Sequence, residues 1–186
     1  IMLYNGRGES MRNRLFWKIG LLYLLVLLLV VAAVDTYVVR ALKTEFLNAA
    51  YSQLESLMRL AAARAPQSSD ASLLREWTAW CGQSGARATL IADGGRVVAD
   101  SAEDPAAMEN HLPRPEIREA FLNGTSRAVR RSPTLKADLV YLAQRCELTG
   151  APPVVLRLSL PLHRLEEARF EFRARLWGFS ALVLIL

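Results

Sequence analysis

Sixteen consecutive residues, Ile19–Val34, carry no charge, and a second apolar run, Leu176–Leu186, closes the chain. A helix that is apolar all round has no side to present to water, so the first run belongs in a bilayer rather than on a soluble surface. A bilayer core of roughly 30 Å takes about 20 apolar residues as helix. Extending the run from Phe16 to Val39 gives 24 residues, or about 36 Å at ~1.5 Å per residue. Lys18 and Asp35 then fall near the two interfaces, and Trp17 and Tyr37 sit where interfacial aromatics concentrate. The expected layout is a cytoplasmic stretch 1–15, a span 16–39, an outer domain 40–175, and the start of a second span at 176–186, interrupted by the chain end.

Orientation follows from the flanking charge. Arg7, Arg12, Arg14 and Lys18 precede the span against one acid, Glu9. The positive-inside rule keeps that end in the cytoplasm and sends residue 40 onward outside. A cleaved signal peptide is the alternative, because Val31-Ala32-Ala33 resembles a small-residue cleavage site. Its apolar region exceeds the usual length, and the later apolar run returns the chain to a membrane. The second run alone, about 16 Å of helix, is also compatible with a short tail packed on the domain.

Residues 40–175 hold 19 basic and 16 acidic side chains, an ordinary balance for one globular core. The whole-chain charge of +5 owes much to the cytoplasmic cluster. No basic stripe interleaves with aromatics, so a nucleic-acid partner is not implied.

Periodicity divides the outer part. Leu42, Phe46, Ala50, Leu54, Leu57, Met58 and Ala61 mark a helix over 40–64, ended by Pro66. A second helix spans Ala71 to about Gln83, capped near Ser69 and Asp70. Arg87–Ala92 and Arg96–Ser101 form a hairpin around Asp93-Gly94-Gly95. Pro115–Asn123 is a short helix with Gly124 after its end. Ser126–Arg131, Leu139–Glu147 and Val154–Leu160 are strands, the last half-buried, with Leu156 and Leu158 on one face and Arg157 and Ser159 on the other. A final helix starts near Leu162. The expected fold is α+β, a five-stranded antiparallel sheet flanked by helices, with transmembrane helices at both ends.

Several of these segments carry a resemblance. Ala88–Ser101 resembles the strand–turn–strand opening of an extracytoplasmic PAS-like, Cache-type sensor domain. Met108-Glu109-Asn110-His111 and Arg114-Pro115-Glu116-Ile117 resemble the loop and helix that follow in PhoR/WalK-type sensor histidine kinases. Arg130, Ser132, Thr134-Leu135 and Tyr141-Leu142-Ala143 resemble the next strands. The resemblance implies a homodimeric membrane receptor of a two-component system, in which an outer signal controls autophosphorylation by a cytoplasmic core. That core would use ATP and Mg²⁺ and pass a phosphoryl group to a response regulator. No residue of this chain is assigned to the core. A chemoreceptor or a diguanylate cyclase with the same outer half, and a bitopic scaffold without signalling output, stand as alternatives.

The site expected in the outer domain is a pocket for a small anion. Arg114, Arg118, Arg130 and Arg131, with Tyr141, cluster around the loop and third strand, and guanidinium offers a planar fork to carboxylate or phosphate. Glu116, Glu119 and Asp138 are the acids that would otherwise pair with them as surface charges. Cys81 and Cys146 are both expected outside, where a disulfide forms readily; two buried thiols are the plainer reading. His111 with Glu109 or Asp104 is a loose candidate for a metal, against a solvated loop. His163 starts a helix outside the membrane, so the phosphoacceptor role suggested by His-Arg-Leu-Glu-Glu is discounted. No nucleophile elbow or phosphate loop is present, which argues against an enzyme in the outer domain.

Overall fold

The computed structural model describes residues 7–131 and 138–185, with only the backbone for 7–13, 163–169 and 182–185. Helix α1 runs unbroken over Arg7–Ala63, followed by α2 (Ala71–Gly82), β1 (Arg87–Ala92) and β2 (Val97–Asp100). After a 3₁₀ turn at Pro105–Ala107 come α3 (Pro115–Asn123), β3 (Thr125–Arg131), β4 (Asp138–Leu148), β5 (Ala151–Pro161) and α4 (His163–Ile185). Ser132, Thr134 and Leu135, quoted above for the resemblance, lie outside the described residues, as does the side chain of His163.

Two compact units are present, one formed by residues 1–43 with 167–186 and the other by Thr44–Glu166. In the first, α1 reaches a mean hydropathy of 2.5 over its most apolar window and is long enough to cross a membrane. Its apolar side chains are largely exposed, Leu21 at 67% for example. Arg173 of α4 forks onto Asp35 of α1, with Nε donating to Oδ1 at 3.1 Å and Nη2 to Oδ2 at 3.0 Å.

The second unit is built on one antiparallel sheet in the order β2-β1-β5-β4-β3. Asp93-Gly94-Gly95 makes the tight turn between β1 and β2, with both glycines at φ 86°. That left-handed backbone is nearly free of cost only without a Cβ. Asp70 caps α2 by accepting from the backbone N–H of Ser72 and Leu73, and Pro115 opens α3 where its missing N–H costs nothing.

Side chains alternate across the sheet, so each face has its own cover. On one face α2 packs against β1 and β2, burying Leu74, Trp77 and Cys81. Trp77 Nε1 donates to the Ala61 carbonyl at 3.1 Å, which ties α2 to the end of α1, where Leu54 and Met58 are also buried. On the other face Ile91, Val97, Ala143 and Val155 form a cluster with Ile117 and Ala120 of α3, with Met108 and Phe121 at its edge. Covering both faces overturns the half-buried reading of β5. Val154 through Ser159 are all buried, because α3 and the loop before it cover the face that was expected to meet water.

Candidate functional site

The site is the part of the second sheet face that α3 leaves uncovered. Beyond the Ile91–Val155 cluster the inward positions change from apolar to polar. Cross-strand partners put Arg87 opposite Ser159 and Thr89 opposite Arg157, then Tyr141 opposite Ser159 and Arg130 opposite Leu139. The loop 101–114 closes over them. It is pinned to the hairpin by the His111 N–H donating to the Gly95 carbonyl at 2.8 Å and by Asn110 Nδ2 donating to the Gly94 carbonyl at 2.7 Å. The result is a cavity of about 490 Å³ walled by Arg87, Arg114, Arg130, Arg157, Tyr141 and His111 among others. That volume suits a small molecule.

Arg157 is the centre of the arrangement. It is 4% exposed, and its Nη2 donates to Thr89 Oγ1 at 3.1 Å. Its Nε and Nη1 make no hydrogen bond among the described residues; Nη1 has only an ionic contact with Glu116 at 3.5 Å. Glu116, in the first turn of α3 and 1% exposed, also meets Arg130 at 3.5 Å. The guanidiniums of Arg130 and Arg157 stand over the Tyr141 ring, 5.0 and 5.2 Å from its centroid, where the ring quadrupole offsets part of their mutual repulsion. Arg87 is satisfied differently: it donates to Asp100 at 3.1 Å and to Glu103 at 3.0 Å.

The charge of the wall shows in its protonation. Burial, then the neighbouring Arg114, pushes Arg157 down to about 10. Burial, then Arg130, lowers Arg114. Burial, then Arg157 and Arg114, pushes His111 down to about 4, so the imidazole is neutral at pH 7. Burial opposes the charge of Arg87 as well, but its bonds to Asp100 and Glu103 outweigh that and raise it. Four guanidiniums and the carboxylates of Glu103 and Glu109 line the wall, with Asp100 and Glu116 paired to Arg87, Arg130 and Arg157 behind it. The unspent donors at its buried end suit a planar anion.

Of the residues expected from sequence, Arg114, Arg130 and Tyr141 line the cavity. Arg118 and Arg131 are exposed and do not line it. Arg157, Arg87 and His111 were missed as site residues. The one available signal was an arginine between leucines in β5, which reads as solvent-facing until the second face proves to be covered. His111, read as part of a solvated loop, is 3% exposed because the loop folds inward over the sheet. Among the described residues no three His, Cys, Asp or Glu side chains group as a metal site. Cys81 is buried and Cys146 half-buried, both as free thiols. Burial, then the neighbouring Cys146, pushes Cys81 up to about 11, and burial raises Cys146.

No family model matches the sequence, and no curated protein matches it. Solved structures do. The ligand-binding domain of Mlp24 with asparagine superposes with a TM-score of 0.52 at 11% identity, covering 72% of this chain and 58% of that one. The ligand-binding domain of the Campylobacter jejuni chemoreceptor Tlp3 in complex with 4-methylisoleucine gives a TM-score of 0.48 at 16% identity, covering 69% and 61%. The chain thus spans about three-fifths of the neighbours' length. At such identities the likeness is one of fold. The second unit has the α+β architecture of Cache-like sensor domains, a five-stranded antiparallel sheet with helices, and the chain carries a long apolar N-terminal helix.

Proposed function

We propose that this chain is the sensor part of a membrane receptor whose outer domain binds a small anion, such as a carboxylate, in the arginine cavity. The observation that carries the reading is Arg157, a nearly fully buried guanidinium that lines a cavity with two nitrogens unspent. Glu116 balances the charge of Arg157 from 3.5 Å, but Nε and Nη1 are left without a hydrogen bond among the described residues. Each buried donor left unpaired costs about 1–3 kcal/mol, a cost that a bound anion offsets. In this reading residues 1–15 are cytoplasmic, 16–39 span the bilayer, 40–175 lie outside and 176–186 begin a second span. The parent receptor is a homodimeric two-component histidine kinase whose cytoplasmic core uses ATP and Mg²⁺ and answers to a response regulator. What supports the kinase is the resemblance at 88–101 and 108–117. A chemoreceptor or cyclase would use the same outer half, and the sensing step is the same in each.

The test is calorimetry on the full chain in lipid nanodiscs with acetate, succinate, citrate and phosphate. At least one anion is expected to bind, and Arg157→Lys and Arg114→Gln each to weaken it about tenfold or more, the loss of roughly one charged hydrogen bond. Binding that survives both substitutions undiminished places the ligand elsewhere.

A further inference from the structure

We infer that the arginine cavity takes up its anion together with one proton, and that the proton goes to His111; this deepens the anion-site reading and rests on it. The His111 ring is buried in the cavity wall. Its Nδ1 lies 2.7 Å from the carbonyl oxygen of Glu109. A carbonyl only accepts, so the neutral ring carries its hydrogen on Nδ1 and keeps a lone pair at Nε2. Among the described residues no hydrogen bond reaches Nε2.

The charges around the ring oppose an imidazolium. Arg157 from β5 and Arg114, just before α3, both push against a further positive charge, as does burial. Asp100 from β2 favours protonation, but that carboxylate already accepts from Arg87 at 3.1 Å and from Thr89 Oγ1 at 2.7 Å. The rest of the wall is Arg87 from β1, Arg130 from β3 and Tyr141 from β4, with Glu103 and Glu109 on the closing loop. Glu116 of α3 is engaged by Arg130 and Arg157. Burial is the largest influence that keeps the ring neutral, and the next two are the guanidiniums that would grip the anion.

An anion held by Arg114 and Arg157 cancels the repulsion those groups exert on His111. Protonation at Nε2, by a proton from solvent, then becomes favourable, and the imidazolium adds a donor and a charge to the site. Linkage makes this reciprocal: a lower pH, which favours the imidazolium, tightens anion binding by the same coupling. If the anion's own negative charge also offsets burial, so that the bound state reaches the ordinary histidine value of about 6.5, affinity rises about tenfold between pH 7.5 and 5.5, with uptake of about 0.9 proton per anion at pH 5.5.

The experiment is calorimetry on the full chain in nanodiscs with sulfate and ethane-1,2-disulfonate, which stay fully ionised over this range. Titrations at pH 5.5 in two buffers of different ionisation enthalpy give the proton count directly. Wild type is expected to take up close to one proton and to bind about tenfold tighter at pH 5.5 than at 7.5. His111→Gln is expected to bring that affinity ratio close to one. Equal wild-type affinity at the two pH values without proton uptake overturns the inference and leaves the anion site standing. A ratio that persists in His111→Gln removes His111 as the proton acceptor. Failure of both probes to bind wild type at either pH overturns the anion site and this inference with it.

Discussion

Replacing Glu116 by leucine should destabilise the sheet unit, Thr44–Glu166, severely, and replacing Arg157 by methionine as well should restore most of the loss. Glu116 has a side chain with no exposed surface, 3.5 Å from both Arg157 and Arg130. At an effective dielectric of about 20, one such contact is worth about 5 kcal/mol before desolvation. Desolvation removes much of that as net gain, but cutting out one partner leaves the other charge buried and uncompensated, at about 3–5 kcal/mol. Glu116→Leu strands Arg157, which is 4% exposed. Arg130 suffers less, because its side chain is 34% exposed and can hydrate. Arg157→Met alone leaves Glu116 with Arg130 only, a loss of about 2–3 kcal/mol. The double variant removes both buried charges and should lie within about 1–2 kcal/mol of wild type. For a unit of this size each kcal/mol moves the melting temperature by roughly 3–5 °C, so Glu116→Leu should melt roughly 10–20 °C lower. The assay is thermal unfolding of the full chain in nanodiscs, followed by emission from tryptophan, with Trp77 buried in the domain. If the two single losses simply add in the double variant, within about 0.5 kcal/mol, these charges are not coupled and the account of the cavity floor is wrong.

Stability should also depend on pH through His111. Its folded value of about 4 lies below the ordinary 6.5, so as pH falls the unfolded chain takes the proton first. The contribution is complete above about pH 6.5, declines between 6.5 and 4, and levels off below; melting at graded pH should show a decline that His111→Gln lacks, and an identical profile in the variant counts against a neutral buried ring. Gly94 and Gly95 share φ 86°, but a Cβ on Gly95 would overlap Asn110 and Leu112 while one on Gly94 meets open space. Gly94→Ala should therefore cost about 1 kcal/mol and Gly95→Ala at least twice that in urea unfolding, and equal costs would mean that the loop does not press on the hairpin. For the membrane layout, an impermeant thiol reagent on intact cells should label a cysteine placed at Ser101 and spare one at Ser10; the reverse pattern inverts the proposed orientation.

Local rules acted on local information and could be read directly. The hairpin at Asp93-Gly94-Gly95, the Pro115 start and Gly124 end of α3, and the strand periods all depend on a residue and its near neighbours. Hydropathy marked Ile19–Val34 for the same reason, since a bilayer tests each residue of a segment alike. The place of Arg114, Arg130 and Tyr141 on the loop and strands, read through the resemblance to PAS-like domains, suggested a basic cluster, although Arg118 and Arg131 were included with no means of telling which way they face.

Tertiary structure alone decided the site. Whether Arg157 meets water or a cavity depends on what covers the second face of β5, and that cover is α3 with the 101–114 loop, more than 30 positions away in sequence. The same folding buries His111, brings Thr89 and Glu116 onto Arg157, and forks Arg173 onto Asp35 across 138 positions. Periodicity gives the two faces of a strand, but not which of them the rest of the chain will close over. Burial is what gives a charge its free-energy consequence, so the chemistry of this protein lay in contacts that no local pattern contains.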